Sequence, residues 1–307
     1  MRQPRKIKSI SGNVITVDVP LTDSIDATLD MEGQVVAYTA PAAASTEVGL
    51  ENLSISLEPS CSGSSLTTKN CSSVGIAVNS YTTDSWVKNI DMSGFNQFVN
   101  VKGMAMRITL ENVTMRRTAD TDGDAGGPAD ITIGGTQVLV TGCSTHGEEN
   151  ASSFSVITSA GVPGPNAVVN HHTDQISQAI QPHQRWAHGL LVDSTNAPFE
   201  FMNRGTDGSG HGWTINAGMS ALSYEPVLLV ASADVLVQGV GWNVNASKLQ
   251  IQSPPTGENT CIGCIGTPAP NSGTSSNGTI IDLNKFVQPP SLFAAQLAAR
   301  GVQPATY

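Results

Sequence analysis

Charge is scarce in this 307-residue chain. Asp, Glu, Lys and Arg supply 13% of it, against about a quarter in ordinary globular proteins, and aromatic residues supply only 5%. The hydrophobic fraction of 39% is still too high for a disordered chain. No run of some eighteen apolar residues offers a membrane-spanning helix, so a membrane is not an expected partner. Cations are scarcer than anions, 15 Lys and Arg against 25 Asp and Glu, which gives a net charge of −10. A duplex-binding basic stripe is hard to build from that balance, and nucleic acid is disfavoured as a partner. Helical periodicity is nearly absent as well.

Cysteine is limited to Cys61, Cys71, Cys143, Cys261 and Cys264. Only Cys261 and Cys264 have a knuckle-like spacing, and no second pair follows, so disulfides or free thiols are expected rather than zinc. A Cys61–Cys71 bridge would close a polar loop. After the basic start Met1-Arg-Gln-Pro-Arg-Lys-Ile-Lys8 there is no apolar leader core; Ile10 to Asp18 reads instead as strand, Gly-Asn turn, strand. That hairpin predicts the body of a longer protein whose N-terminal part, with any signal peptide, is missing. Asn-x-Ser/Thr acceptors at Asn52, Asn70, Asn112, Asn150, Asn245 and Asn277 are compatible with a secreted glycoprotein.

What is abundant is short alternating runs rich in Val, Ile and Thr, bounded by Gly, Asn, Asp and Ser. Several look alike: Leu50-Glu-Asn52-Leu-Ser-Ile, Val87-Lys-Asn89-Ile-Asp-Met, Leu110-Glu-Asn112-Val-Thr-Met and Thr136-Gln137-Val-Leu-Val. Their amides fall 37, 23 and 25 residues apart. A strand-and-turn unit of roughly two dozen residues cannot bury its apolar face alone and must stack on the next, which favours an all-β solenoid over a sandwich with its shorter strand spacing. The expected organisation is a hairpin segment over 1–45, parallel coils over 46–250, and loops with a capping helix over 251–307. Ser291 is the expected N-cap of that helix and Gly301 its C′ glycine.

All six histidines, His146, His171, His172, His183, His188 and His211, lie in one 66-residue window with Arg185, Arg204 and Trp186 and no lysine, and Trp213 stands two residues beyond it. The separations His146 to His171 (25) and His188 to His211 (23) approach the coil length and predict stacked histidines. His172 and Asp174, like His183 and Arg185, would share a face of a strand. Imidazole transfers protons near neutral pH, guanidinium neutralises a carboxylate, and indole stacks on a sugar ring. Together they suit β-elimination along an acidic polysaccharide. Because the acids lie mostly elsewhere, binding of such a polymer is expected to strengthen below neutral pH and weaken with salt. Two weaker constellations remain. Asp120, Asp122 and Asp124 alternate as in a calcium loop but lack its Glu and its glycine position, and Arg116 and Arg117 offer a neutralising alternative. Glu148 and Glu149 beside His146 would be a hydrolase pair.

The stacked Val-x-Asn-x-x-Met coils, with Pro182-His-Gln-Arg-Trp-Ala-His-Gly-Leu-Leu191, Asn203-Arg-Gly205 and Gly208-Ser-Gly-His-Gly-Trp213, resemble the pectate-lyase-like right-handed parallel β-helix superfamily over about residues 45 to 300. The resemblance implies a right-handed parallel β-helix that acts on a uronate polysaccharide in a groove. The chemistry of the window assigns catalysis to His183 or His211 as proton abstractor, Arg185 and Arg204 as carboxylate neutralisers and His188 as a partner in proton transfer, with substrate contacts from His171, His172, Trp186, Trp213 and Asn203. It implies no required cofactor, calcium being optional, and sets no oligomeric state. The Arg-x-Pro-x-x-Arg strand of pectate lyases is absent. Gly210-His-Gly212 is similar to a polygalacturonase motif, but its Asn-Thr-Asp, Asp-Asp and Arg-Ile-Lys companions are missing. The alternatives are a glycoside hydrolase on a pectin-like polymer and a non-catalytic glycan-binding or adhesive solenoid.

Overall fold

The computed structural model describes residues 2–22, 34–58, 73–118, 129–147, 154–174, 179–182, 187–201, 228–230, 233–247, 249–253, 257–268 and 276–303. Strands β1 (Ile7–Ser11) and β2 (Val14–Val17) form the expected antiparallel hairpin, outside the two large sheets. The remaining strands, in chain order, are β3 (Gly49–Ser56), β4 (Val74–Val78), β5 (Thr83–Ser93), β6 (Gln97–Val101), β7 (Met106–Arg116), β8 (Ala129–Ile133), β9 (Thr136–Thr141), β10 (Ser144–His146), β11 (Phe154–Thr158), β12 (Asn166–Val169) and β13 (His172–Thr173). They continue with β14 (Ala179–Pro182), β15 (Leu190–Asp193), β16 (Phe199–Phe201), β17 (Leu228–Val230), β18 (Ala233–Trp242), β19 (Leu249–Ser253), β20 (Gly257–Ile262), β21 (Ser276–Asn277) and β22 (Thr279–Ile281). One helix, α1 (Leu292–Ala299), closes the described chain.

The protein is all-β, and its strands pair in parallel apart from the hairpin and the short β17 and β21. The chain passes back and forth between two sheets. One holds β3, β5, β7, β9, β10, β12, β13, β15, β17, β18, β20 and β22; the other holds β4, β6, β8, β11, β14, β16, β19 and β21. Register stacks like on like. Val87, Leu110, Val140, Val168 and Val192 form one inward row of the first sheet, and Ile76, Val99, Ile131, Val156, Ile180, Phe199 and Leu249 form one row of the second. Apart from the partly exposed Ile76, these side chains are buried in one continuous apolar core. Fully burying one such side chain is worth about 1.5–3 kcal/mol.

The repeated amides have a backbone cause. Asn52, Asn89, Asn112, Gly142, Asn170, Ser194, Asn243, Gly263 and Asp282 occupy successive register positions of the first sheet, all with φ between 49° and 69°. Asn, Asp and Gly tolerate this left-handed conformation best because a short polar side chain bonds locally and glycine has no Cβ to clash. The Asn89 amide donates to Asn52 Oδ1 at 3.0 Å, and the Asn112 amide donates to Asn89 Oδ1 at 3.2 Å. Gln137 is not in this row. Its φ of 60° belongs to a second left-handed row with Glu47, Asp84 and Arg107, five positions earlier along the chain, and the partner of Asn112 is Gly142.

Helix α1 begins where expected, with Ser291 Oγ accepting from the Ala294 amide, and Gly301 follows at φ 74°. The buried Asp193 carboxylate accepts from Ser291 Oγ and from the Phe293 amide, both at 2.7 Å, so an acid of β15 meets the positive end of the helix. Cys261 and Cys264 form a disulfide, Cys143 is a buried free thiol, and Cys61 and Cys71 lie outside the described residues.

Candidate functional site

Beyond the left-handed row, the outward positions of the first sheet form a polar strip. Ser54, Asp91, Thr114, Ser144 and His172 stand in one register row, which continues through bridges to Asn196 and Asn245. Two residues further on, Ser56, Ser93, Arg116 and His146 form a parallel row. Neighbouring rungs are about 4.8 Å apart, the spacing of paired strands. His146 Nδ1 lies 2.9 Å from Asp174 Oδ2, and its Nε2 lies 3.2 Å from Ser144 Oγ. The ring of His172 is 6.2 Å from that of His146. Arg116, exposed, is the rung next to His146.

This arrangement differs from the stacking expected from residue counts. His146 and His171 are 25 residues apart, yet Ser144 pairs with His172, a separation of 28, so His146 meets Asp174. His171 then falls on the inward row behind Cys143. Side chains alternate with a period of two, so an odd slip reverses the face. His171 is buried, with Nε2 2.5 Å from Ser155 Oγ, and burial pushes its pKa down to about 3. The neutral imidazole therefore ends a buried polar chain and does not face the strip. That chain runs from Ser155 to Thr145 Oγ1 at 3.3 Å, and the Thr145 hydroxyl helps to hold down the pKa of the buried Asp130. Asp130 in turn meets Arg117 at 2.5 Å, both side chains being fully buried, and the Arg117 guanidinium lies 5.5 Å from the centre of the Phe98 ring. Burial pushes the Asp130 carboxyl up to about 6 against the downward pull of Arg117.

His188 is interior as well. Burial, reinforced by the positive Arg5, lowers its pKa to about 4. Arg5 anchors the N-terminal segment nearby through the Gly164 carbonyl at 2.9 Å. Of the histidines assigned to catalysis or binding, His172 alone among the described residues is on the strip, and it shares a face with Asp174 as expected. His183, Arg185, Trp186, Asn203, Arg204, His211 and Trp213 lie outside the described residues, as do Asp120, Asp122, Asp124, Glu148 and Glu149. The strands that lead into 183–186 and into 202–213, β14 and β16, run side by side with Ile180 paired to Phe199.

No protein-family model, curated protein or solved structure matches this chain. Its site must therefore be read from its own chemistry. Among the described residues no three His, Cys, Asp or Glu side chains converge as metal ligands. What the strip does offer is an imidazole oriented by a carboxylate, a second imidazole beside it and a guanidinium on the adjacent rung. The sequence offers His146 and Asp174 within one window without pairing them, and it offers Arg116 only as a neutralising neighbour of Asp120, Asp122 and Asp124. The signal for Arg116 was strand alternation: Met115 and Arg117 point inward, so Arg116 points out.

Proposed function

We propose that the chain is a right-handed parallel β-helix that cleaves a uronate-containing polysaccharide of the extracellular space by β-elimination. The regular passage between two parallel sheets supports the solenoid reading, parallel crossovers being right-handed in nearly all proteins. Helix α1, tied to Asp193, is its terminal cap. The observation that carries the activity is the exposed Arg116, His146–Asp174 and His172 set on one face. Strand spacing is comparable to the rise per sugar of an extended glycan, so a polymer crossing the strands would meet one rung per residue.

In this reading Arg116 pairs with the uronate carboxylate and stabilises the negative charge that develops when the adjacent C5 proton leaves. Asp174 holds the Nδ1–H of His146, which leaves Nε2 as the base; Ser144 hydroxyl donates to it in the free protein. The C5–H pair becomes the C4=C5 double bond, the C4–O bond breaks, and His172 supplies a proton to the departing sugar oxygen. Neither a metal nor an organic cofactor enters these steps.

Mass analysis of the products tests the proposal. Elimination yields fragments one water lighter at the new non-reducing end than hydrolysis does. Arg116→Ala is expected to lower kcat/KM by about 10²–10³-fold. Hydrated ends alone would transfer the site to a hydrolase, and binding with no cleavage of any uronate polymer would leave a glycan-binding solenoid.

A further inference from the structure

At the β3 edge of the strip lies a shallow hollow of about 260 Å³, lined by Ser54, Ser56, Asp91, Ser93 and Arg116 around Ile55 and Met92. Two charge pairs elsewhere on this sheet face join neighbouring strands. Lys88 meets Glu111 at 2.9 Å, and Arg107 Nη2 meets Asp84 Oδ2 at 2.9 Å. Asp91 and Arg116 both line the hollow, both are exposed, and among the described residues neither has an ion-pair partner. An unpaired guanidinium and an unpaired carboxylate beside three serine hydroxyls match a ligand with an oxyanion at one end and hydroxyl donors at the other. One uronic acid residue has both, its C5 carboxylate lying across the ring from the O2/O3 diol.

We infer that this hollow is a uronate subsite in which Arg116 takes the carboxylate and Asp91 accepts hydrogen bonds from the O2/O3 diol, so that polymers acetylated at those oxygens are rejected. The inference rests on the polysaccharide reading but specifies the sugar and its substitution. An ester at O2 or O3 removes the donor and leaves the Asp91 carboxylate facing an acyl group. A lost hydrogen bond to a charged group corresponds to about 10- to 100-fold in affinity.

Calorimetric titration of the full chain with a uronate tetrasaccharide, its O2/O3-acetylated form and its carboxyl-reduced form tests the assignment. The unmodified sugar is expected to bind about 10- to 100-fold tighter than either derivative. Asp91→Ala should bind the acetylated and free sugars equally while keeping its preference for the carboxylate, and thermal melting verifies that the variant is folded. Equal binding of acetylated and free sugars by the unaltered protein, or discrimination that survives in Asp91→Ala, overturns the inference. Turnover is scored separately. Diol-dependent binding without cleavage sinks the lyase reading and leaves the subsite standing; cleavage indifferent to acetylation sinks the subsite alone, and no binding with no cleavage sinks both.

Discussion

At the residue scale, the buried ionisable groups set the acid stability. His171 and His188 have folded pKa values of about 3 and about 4, below the ordinary 6.5. The unfolded chain therefore binds more protons as pH falls below about 6.5, and each histidine subtracts stability on acidification. Asp130 acts oppositely, because a carboxyl raised to about 6 favours the folded state as pH falls from about 6 towards 4. Two histidines against one carboxyl leave a net loss of stability on acidification between about pH 6 and 4. Urea unfolding across that range is expected to show this loss, and His188→Gln to flatten it; an unchanged slope in the variant contradicts the interior placement of His188. The Asp130–Arg117 pair makes a second prediction. Replacing Arg117 by Met leaves a buried carboxylate without its partner, which typically costs about 3–5 kcal/mol, read from the unfolding midpoint. Neither effect was visible in the sequence, where Arg117 and His171 look like neighbours of surface residues. One position along a strand decides between core and solvent, and only the register fixes it.

Elements were more legible, because local backbone chemistry leaves a mark on residue type. The Leu-x-Asn and Val-x-Asn phrases named Asn52, Asn89 and Asn112 correctly as one row, since the left-handed turn selects Asn. Gln137 was drawn into it by spacing and amide alone, yet the true continuation is Gly142, which satisfies the same φ without any amide. Asn89 sits mid-ladder, donating to Asn52 and accepting from Asn112. Asn89→Ala should therefore lose both bonds and also strain the left-handed backbone, costing about 1–2 kcal/mol for the conformation alone, whereas Asn89→Gly should keep the backbone relaxed and lose less. Denaturation midpoints in the order wild type, Gly, Ala are the expected result, and an Ala variant as stable as wild type would contradict it. The ladder also bears on modification, because the Asn112 amide nitrogen is engaged with Asn89. Near the C-terminus the same row anchors the last segment: Asn243 Oδ1 accepts from the Val287 amide at 2.8 Å, and its amide donates to the Val287 and Pro290 carbonyls. Gly263 stands beside it because a Cβ there would lie 2.3 Å from Asn243 Oδ1.

Over the whole molecule, the all-β parallel character followed from alternation and recurrence, while the exact stacking did not. The spacing between register partners varies: 37 residues separate Asn52 from Asn89, 23 separate Asn89 from Asn112, and 28 separate Gly142 from Asn170. Insertions between sheets are tolerated because loop closure costs grow only slowly with length, so counting cannot assign neighbours. That is why the histidine cluster was legible as a cluster but its geometry was not. The strip unites residues from β7, β10 and β13 with Asp174, and its catalytic reading depends on their register. Core packing is the background against which the site is held, and Ile131→Ala in the second sheet should cost about 2–5 kcal/mol without altering the strip.

The most direct test of the central claim is the ultraviolet absorbance of unsaturated uronide, followed over a panel of uronate polymers with the wild-type chain and His146→Ala. A steady rise is expected with at least one polymer, reduced about 10²–10⁴-fold in a folded His146→Ala variant. No unsaturated product from any polymer, or an undiminished rate in His146→Ala, would contradict it.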